Sequence, residues 1–437
     1  MHPRALLRLL ALRVPIPARA RLPLVLAAYK AAGPVFRGSH HYEAWRRSRT
    51  AAPPANAERA PGPKGLVAVI DQYIPRPDRD SGSRALWQMI ECLLAGGWDV
   101  AFWPHFGWHE PGYTERLQAL GVEVILGAQH RQGFERFLQS RSGRLGAVLV
   151  SRPLLARELV PAVRAAAKVP ILYNGVDIHY ERLALEARTQ GRAPGPEERW
   201  MQSVEPAVWR ACDIILYPSQ DEIDEVLRRV PGCDARLLPL FAFDSFGTPR
   251  APSGGGSKLF MVANFNHAPN VDGMRWLATE VLPRLRALRP GFTLEVAGIG
   301  APQSLRAIEA PEVRWLGPVS DEHLDELYRA SDLSLVPLRF GAGVKGKVVE
   351  ALRWGLPLVT TPVGVQGLPR LEEIVSIHED AAGFAQAIDE LLRDPGERAR
   401  RSIRMIEYAR GRFTREAMAR ALAFATPRAA VEGKIAQ

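Results

Sequence analysis

The sequence has few cysteines and no long apolar run. Among its 437 residues there are three cysteines, Cys92, Cys212 and Cys233, with no C-x-x-C motif and no nearby pair of histidines. This spacing favours reduced, structural thiols in a reducing compartment over a disulfide framework or a zinc site. No segment reaches the roughly 18–20 consecutive apolar residues that a membrane-spanning helix needs. We therefore expect a cytoplasmic protein.

The chain beyond residue 64 also lacks a net positive charge. The net charge is +10, but residues 1–64 contain twelve Lys or Arg residues against two acidic ones, so the remaining chain is neutral. An enzyme that acts on nucleic acid usually carries its basic surface on the folded body. We therefore expect no nucleic-acid partner. The excess charge favours contact between residues 1–64 and an anionic surface, or simple solvation.

Residues 1–64 form a basic N-terminal extension rich in Arg, Ala and Pro. The leucines at 6, 7, 9 and 10 lie beside Arg4, Arg8 and Arg13, a pattern that allows a short basic amphipathic helix on anionic lipid headgroups. That helix would place the protein at the inner face of the membrane as a peripheral protein. The alternative is a partly disordered extension. The first residues resemble a signal peptide, but Arg8 splits the apolar region.

What the chain does have is a repeated alternation of strands and helices from Gly65 onward. Apolar strands such as GLVAVID and GAVLVS alternate with amphipathic helices, and the alternation restarts after the glycine-rich segment GTPRAPSGGGS. This pattern predicts an α/β fold with two Rossmann-like, doubly wound parallel sheets that face a cleft. The predicted parts are the extension and linker at 1–64, an N-terminal domain at 65–246, a linker at 247–257, a C-terminal domain at 258–412, and a helix and tail at 413–437.

The most informative stretch is 331–369, in the second of these domains. It predicts a buried strand (SDLSLVPL), a glycine-rich loop (FGAGVKG), a short helix (KVVEALRW) capped by Gly355, and a second strand. Such a loop directs backbone N–H groups and lysines toward the start of a helix. This arrangement suits an anion, above all a phosphate.

The two halves together with this stretch resemble the GT-B glycosyltransferases, and among them the large retaining family 4 (glycosyl transferases group 1). The resemblance runs from about Gly65 to about Arg412, and its specific part is RFGAGVKGKVVEALRWGLPLVTTPVG, preceded by VRWLGPVSDEHLDELYRASDLSLVPL. NFNHAPNVDG resembles a branch of the family with Asn and Pro where others have Arg and Lys-Gly. The resemblance implies acceptor binding by the N-terminal domain and binding of a nucleotide-sugar donor by the C-terminal domain.

The resemblance implies a donor site on two loops of the C-terminal half. Glu350 matches the second glutamate of the family's E-x7-E motif, which binds the donor ribose hydroxyls, and we expect it in the first turn of its helix. Its alternative is a surface pair with Lys347. The donor-binding set comprises Gly341, Gly343, Val344, Lys345, Lys347, Glu350, Asn266, His267 and Asn270. The lysines could instead be solvated, and the last three residues could cap their loop.

The first glutamate of the motif would fall at Ala342, and it is absent. The family's contact to the sugar hydroxyls at that position is therefore open. The backbone N–H groups of Gly343 and Val344, with Lys345, could compensate at the diphosphate. A non-catalytic protein that binds sugar nucleotides or glycans thus stays an alternative to an enzyme.

The N-terminal domain offers a loop that faces the cleft. Asp78-Arg79-Asp80 spells a D-x-D motif, but a long loop is not the strand end that a metal site of this kind needs, so we expect no metal. Instead, the segment that follows replaces the family's glycine-rich loop and begins a helix toward donor phosphate or acceptor. The acceptor-side set comprises Asp80, Ser81, Gly82, Ser83, Arg84 and Arg152.

Three further residues are candidates near the reacting centre. The family often places a histidine after the strand that matches VPILYN, and here the strand ends in Asn174, with Asp177 and His179 in the following loop. His179 would orient donor or acceptor, and Asp177 would hold its other ring nitrogen. The alternative is a structural histidine. Glu205, Asp213, Ser219 and Glu222 resemble a family run that we interpret as scaffold.

Together with these residues, the resemblance implies a metal-independent hexosyltransferase that moves a sugar from a nucleotide diphosphate to a hydroxyl with retention of anomeric configuration. The expected partners are the nucleotide sugar, a glycan or lipid-linked acceptor as in envelope polysaccharide assembly, and an anionic membrane surface through residues 1–64. No cofactor is expected. The G-x-G at Gly298–Gly300 has Gln303 at the third glycine position, which argues against a dinucleotide. An epimerase or hydrolase of nucleotide sugars stays open as a second enzyme alternative.

Overall fold

A computed structural model describes residues 45–48, 54–57, 62–189, 191–252 and 257–424 of the protein. The predicted amphipathic helix and membrane contact near the N-terminus lie outside the described residues, as does the end of the C-terminal tail. In the described part, the chain builds two parallel sheets of seven and six strands with helices on both faces.

The N-terminal domain contains the seven-stranded sheet. Its strands are β1 (Leu66–Asp71), β2 (Asp99–Pro104), β3 (Glu123–Val124), β4 (Leu145–Ser151), β5 (Ile171–Asn174), β6 (Ile214–Tyr217) and β7 (Asp234–Leu237). Its helices are α1 (Ser81–Ala95), α2 (Tyr113–Ala119), α3 (Gly127–Arg131), α4 (Phe134–Arg141), α5 (Pro153–Ala166), α6 (His179–Thr189), α7 (Pro196–Ala211) and α8 (Gln220–Arg229). The sheet order is β3-β2-β1-β4-β5-β6-β7, and all pairs are parallel.

The C-terminal domain repeats this plan. Its strands are β8 (Lys258–Val262), β9 (Thr293–Ala297), β10 (Val313–Gly317), β11 (Leu333–Val336), β12 (Leu358–Thr360) and β13 (Ser376–Ile377). Its helices are α9 (Ala268–Trp276), α10 (Leu282–Leu288), α11 (Gln303–Arg306), α12 (Asp321–Ala330), α13 (Gly346–Trp354), α14 (Ala381–Arg393) and α15 (Pro395–Arg412). The sheet order is β10-β9-β8-β11-β12-β13.

Both sheets reverse their strand order at the same place, between the first and fourth strand of the domain. The central strands β1 and β4 are buried at every residue, as strands covered by helices on both faces must be. In such sheets ligands bind outside the carboxyl ends of the strands at the reversal point. The predicted fold, two doubly wound parallel sheets facing a cleft, is confirmed.

The chain returns to the N-terminal domain at its end. A further helix, α16 (Arg415–Ala421), packs against α1, and its Met418 joins the apolar core on that face of the first sheet. Arg415 reinforces the contact by hydrogen bonding Asp244 and Glu91. The described part of the predicted linker, 247–252, lies on the C-terminal domain, where Arg250 donates to the carbonyl oxygens of Ser331, Gly355 and Tyr328.

Three elements differ from what the sequence pattern predicts. Part of the polar segment 181–199 is helical, because α6 begins at His179 and α7 at Pro196. The segment HRQGFERFLQSR at 130–141, which the alternation predicts as one helix, is divided between two helices at Gly133, which has a φ of 93°. The long helix after β8 contains a π-helical turn at Leu277–Val281, which accommodates Pro283 two residues further on.

Candidate nucleotide-sugar site

The loop between β11 and α13 brings the predicted donor residues to the reversal point of the second sheet. Gly341 and Gly343 have φ angles of 134° and 72°, which side-chain-bearing residues rarely adopt. Lys345 is the N-cap residue of α13, and Gly355 ends this helix in the left-handed conformation as predicted. The loop thus presents backbone to the cleft directly before the start of a helix, where N–H groups lack intrahelical partners.

Both lysines of the loop are confined and lose part of their basicity. Lys347 Nζ donates to Asn270 Oδ1 at 2.7 Å, and Asn270 Nδ2 donates to the Asn264 carbonyl oxygen at 2.7 Å. Burial, helped by the charge of Lys345, lowers the pKa of Lys347 to about 7. Burial also lowers the pKa of Lys345 to about 8. The structure therefore joins Lys347 and Asn270, which the sequence analysis placed in one donor set.

Lys345 lies at the same loop. Its Nζ donates to the Gly343 carbonyl oxygen and lies 3.3 Å from Gln366 Oε1. Lys345 therefore folds back onto its own loop.

Glu350 differs from its predicted position in two respects. It is the fifth residue of α13 and lies in the second turn, because the helix begins at Gly346. It is also buried, with 5% of its surface exposed, and its partner is Arg84 of the N-terminal domain instead of Lys347. Burial raises its pKa, and the charges of Arg84 and Arg353 oppose this shift. The surface-pair alternative is therefore wrong.

Asn266 and His267 occupy the exposed turn before α9. His267 is the N-cap residue of α9 but makes no side-chain cap hydrogen bond. The Asn266 side chain packs over Gly300, which leaves no room for a Cβ atom there. Gly298 likewise leaves its Cβ position to the Ala263 carbonyl oxygen, with a φ of 141°. Close contacts, with the Ala263 backbone at Gly298 and with the Asn266 side chain at Gly300, account for these two glycines.

On the N-terminal side, the predicted loop begins α1. Asp80 is its N-cap, and its carboxylate accepts from Ser83 N at 2.7 Å and Ser83 Oγ at 2.8 Å. These two residues serve the helix start, whereas Arg84 reaches Glu350 across the cleft. Ser81 also faces the C-terminal domain, since its Oγ lies 2.6 Å from the place where a Cβ of Gly346 would be. Gly82 lies beside Val176, with 3.9 Å from a built Cβ to Cγ1 of the valine.

Arg152 lies at the reversal point of the first sheet. It follows β4, and its Nε donates to Asp71 Oδ1 at 2.8 Å, at the carboxyl end of β1. The charge of Asp71 raises the pKa of Arg152, with smaller contributions from Asp80 and Asp177. Arg152 has a φ of 72°, which is rare for a residue with a side chain. Sequence reasoning missed Asp71, although a carboxylate ending a buried strand is a signal that could have found it.

His179, Asp177 and Asn174 follow β5, and the structure brings the first two together. His179 Nδ1 lies 2.9 Å from the Asp177 carbonyl oxygen and 3.1 Å from Asp177 Oδ1. Burial lowers the pKa of His179, and the charge of Asp177 opposes this. Asn174 is buried and donates through Nδ2 to Ser151 Oγ at 3.2 Å. His179 is the first residue of α6 and does not lie in a loop as predicted.

Glu205 stabilises the start of α6. Its carboxylate oxygens accept from the backbone N–H groups of His179 at 3.0 Å and Tyr180 at 2.9 Å, so it caps α6 from another helix. Burial raises the pKa of Glu205 to about 7. The turn before α6 is tight, since Gly175 has no space for a Cβ beside the Tyr217 ring and Val176 has a φ of 69°. Strain of this kind clusters at functional sites.

Glu222 is a second buried carboxylate near the cleft. Its Oε1 accepts from Ile178 N at 3.2 Å, and its Oε2 is buried without a hydrogen-bond partner. Burial raises its pKa to about 8, and its charge acts on Lys345 of the opposite domain. Ser219, at the N-cap of α8, lies against Gly367 of the C-terminal domain. These two residues therefore border the cleft in addition to belonging to the N-terminal scaffold.

Among the described residues, no group of three or more His, Cys, Asp or Glu is placed to hold a metal ion. No helix in the described part of the chain is long and apolar enough to cross a membrane.

Comparison with protein families supports the class suggested by fold and site. Residues 256–394 match the family model described as Glycosyl transferases group 1. This segment contains the loop, both lysines and Glu350. The predicted resemblance to that family is confirmed for the C-terminal domain.

The curated relatives are distant, and each matches only part of this chain. Glycogen synthase from Mycobacterium tuberculosis is 27% identical over 229 residues, which cover 49% of this chain and 54% of the relative. An uncharacterized 44.6 kDa protein in the cps region of Klebsiella pneumoniae is 26% identical over 164 residues, 36% of this chain and 40% of the relative. The chain thus spans about half the length of the curated relatives it matches, or less.

Solved structures extend the similarity to both domains. The Anabaena protein Alr3699/HepE, in complex with UDP, has a TM-score of 0.59 at 13% identity, covering 85% of this chain and 100% of that one. A UDP-forming α,α-trehalose-phosphate synthase from Burkholderia xenovorans has a TM-score of 0.51 at 15% identity, covering 82% and 97%. At this identity the likeness concerns the fold, which is GT-B.

Proposed function

We propose that the protein is a glycosyltransferase that moves a sugar from a nucleotide-diphosphate donor to a hydroxyl of a glycan or lipid-linked acceptor, with retention of anomeric configuration. The observation that carries this is the cluster of Glu350, Lys347 and Lys345 on one loop and helix, at the reversal point of a domain that matches the family. The Anabaena neighbour was solved with UDP and with UDP-glucose, which makes UDP-sugars the first donors to test.

In the proposed site, different protein groups contact the ribose and the diphosphate of the donor. Glu350 accepts hydrogen bonds from the ribose hydroxyls, and Lys345 with the loop N–H groups meets the diphosphate. Lys347, held by Asn270, adds a second cation close to the start of α13. Charge that develops on the departing diphosphate is then neutralised by protein cations and the helix N-terminus, so the transfer needs no metal ion.

The acceptor faces this site from the N-terminal domain. Arg152, paired with Asp71, and His179, paired with Asp177, lie at the carboxyl ends of β4 and β5. With its pKa lowered by burial, His179 carries a neutral imidazole at neutral pH, able to hydrogen bond a sugar hydroxyl through Nε2. Acceptor attack and diphosphate departure take place on one face of the sugar, which retains the anomeric configuration.

The ribose contact is tested by removing the carboxylate. We expect Glu350→Ala to abolish UDP and UDP-sugar binding measured by titration calorimetry, because the ribose hydroxyls lose their acceptor. The control is Glu326→Ala, which removes an exposed carboxylate of α12 and should bind as the wild type does. Unchanged UDP affinity in Glu350→Ala would contradict the proposed donor site.

Turnover separates transfer from the alternatives. A transferase releases nucleotide in proportion to glycosylated acceptor, whereas a hydrolase or epimerase converts the donor with no acceptor present. A binding protein would bind UDP-sugars without turnover across an acceptor panel, an outcome to which the missing glutamate at Ala342 gives weight. Activity should persist in chelator, and strict dependence on a divalent metal would contradict the proposed mechanism.

A further inference from the structure

One side-chain contact joins the two domains directly at the proposed ribose carboxylate. Arg84 Nη1, from α1, donates to Glu350 Oε1, from α13. The side chains are 26% and 7% exposed, so water has limited access to the pair. The Arg84 guanidinium is fixed by aromatic rings, with its central carbon 4.7 Å from the Phe241 centroid and 5.9 Å from that of Phe243. Such cation–π packing restricts the arginine to one orientation.

The second oxygen of the same carboxylate makes no hydrogen bond. Glu350 Oε2 is buried, and its ion pair with Arg353 Nη1 is long, at 3.7 Å. A buried acceptor without a hydrogen bond destabilises the fold, and a charged one more so, so such positions are rare in folded proteins. A ligand hydroxyl that donates to Oε2 would remove this destabilisation.

We propose that Arg84 is a positioning residue of the donor site: it holds Glu350 Oε1 from the opposite domain, so that Oε2 is directed to accept from the donor ribose. The role of Arg84 rests on the proposed function, since it acts through the carboxylate that binds ribose. Because Arg84 belongs to the N-terminal domain, its role makes donor affinity depend on that domain. The ribose contact is complete only when the two domains are closed on each other.

The charges around Glu350 make this role measurable. Arg84 from α1 and Arg353 from α13 favour the ionised carboxylate, whereas Asp325, Asp321 and burial disfavour it. Tyr328 of α12 also lies within electrostatic reach. Without Arg84, the pKa of Glu350 rises further, and a protonated carboxyl is a poorer acceptor. Donor binding should then be lost at a higher pH as the solution is acidified.

The test compares Arg84→Gln, Arg84→Lys and the wild type by calorimetric titration with UDP, GDP and ADP from about pH 5 to pH 8. We expect Arg84→Gln to weaken binding of the preferred nucleotide by roughly tenfold, a typical effect of one charge-assisted hydrogen bond. The acid limb, which is the fall in affinity as the pH is lowered, should shift to higher pH. Arg84→Lys should restore the acid limb and part of the affinity, because it keeps the charge without the planar fork.

The matched control is Arg136→Gln on the exposed side of α4, which removes one positive charge from the same domain. It should leave affinity and acid limb unchanged. Equal or tighter binding by Arg84→Gln, or an unmoved acid limb, would overturn the positioning role. Tighter binding would indicate that Arg84 competes with the donor. If Arg84→Gln does not fold, the affinity of Arg84→Lys decides: weaker binding than the wild type supports the role, and equal or tighter binding overturns it.

The result also separates this role from the proposed function. Nucleotide binding by the wild type together with an unaffected Arg84→Gln rejects the role of Arg84 alone. Failure of the wild type to bind any of the three nucleotides contradicts the donor site itself and, with it, the role of Arg84.

Discussion

At the scale of single residues, the two lysines of the donor loop have unusually low pKa values. With pKa values held at about 8 and about 7, Lys345 and Lys347 are partly neutral near physiological pH. An unperturbed lysine, with a pKa of about 10.4, would be fully charged there. A neutral amine costs little to bury, and a bound diphosphate supplies the negative charge that makes protonation favourable.

Donor binding should therefore take up protons. At about pH 8, above the titration of a phosphate group at about 6, we expect UDP binding to take up close to one proton. Affinity should rise as the pH falls from about 9 to about 7, because the protonated lysines bind the diphosphate more strongly. Titration in two buffers of different ionisation enthalpy measures the uptake. Lys347→Met should reduce it, and an uptake near zero in the wild type would contradict the lowered pKa values.

The sequence predicted those candidate residues that local motifs identify. Glu350, Lys345 and Lys347 stand at motif positions, and Gly355 follows from helix-end chemistry. Arg84 was placed in the cleft, but its partner was not predicted, because the pair is separated by 266 residues in the chain. The sequence also could not predict that one oxygen of Glu350 and one of Glu222 would be buried without a hydrogen bond, because the burial of one atom depends on how two domains pack.

At the scale of elements, the start of α13 lies directly against the start of α1. A Cβ on Gly346 would lie 2.6 Å from Ser81 Oγ and 3.0 Å from Phe241 Cζ. The absent side chain at this position lets the two helix N-termini, with their partial positive charges, face the same cleft. A glycine at a helix start is thus explained by the neighbouring domain and not by the helix itself.

We expect Gly346→Ala to force the two domains apart. The added methyl group should lower UDP affinity by roughly tenfold, in line with the about 1–3 kcal/mol typical of overpacking. The control is Gly411→Ala near the end of α15, where a Cβ meets nothing within 4 Å. Calorimetric titration of both variants with UDP gives the comparison. Wild-type affinity in Gly346→Ala would mean that closure at this point does not matter for the donor.

The strand–helix alternation predicted the elements well where the apolar periodicity is strong. It failed at α6, whose sequence is polar and whose start is stabilised from outside by Glu205, through the backbone N–H groups of His179 and Tyr180. It also missed β7, an edge strand with no fully buried residue. Tertiary contacts decide both elements, and the local sequence carries little sign of them.

At the scale of the whole molecule, the two sheets share one topology and meet at their reversal points. The chain crosses between them twice, once through the linker and once where Phe243 bridges Thr414 before α16 returns to the first domain. The described parts of the N-terminal extension also contact the body. Arg47 pairs with Glu110 through two hydrogen bonds of 2.9 Å, and the Asn56 side chain caps the edge strand β3 at Val124.

Hydrogen–deuterium exchange with and without UDP tests the central claim most directly, because it needs no knowledge of sugar or acceptor. A ligand that binds the native state slows exchange of the amides it contacts and of those that must open for it to leave. We predict slower exchange at 341–350 and 264–270, with a weaker effect at the start of α1 around Arg84. Strong UDP binding with no slowing at 341–350 would contradict the proposed donor site.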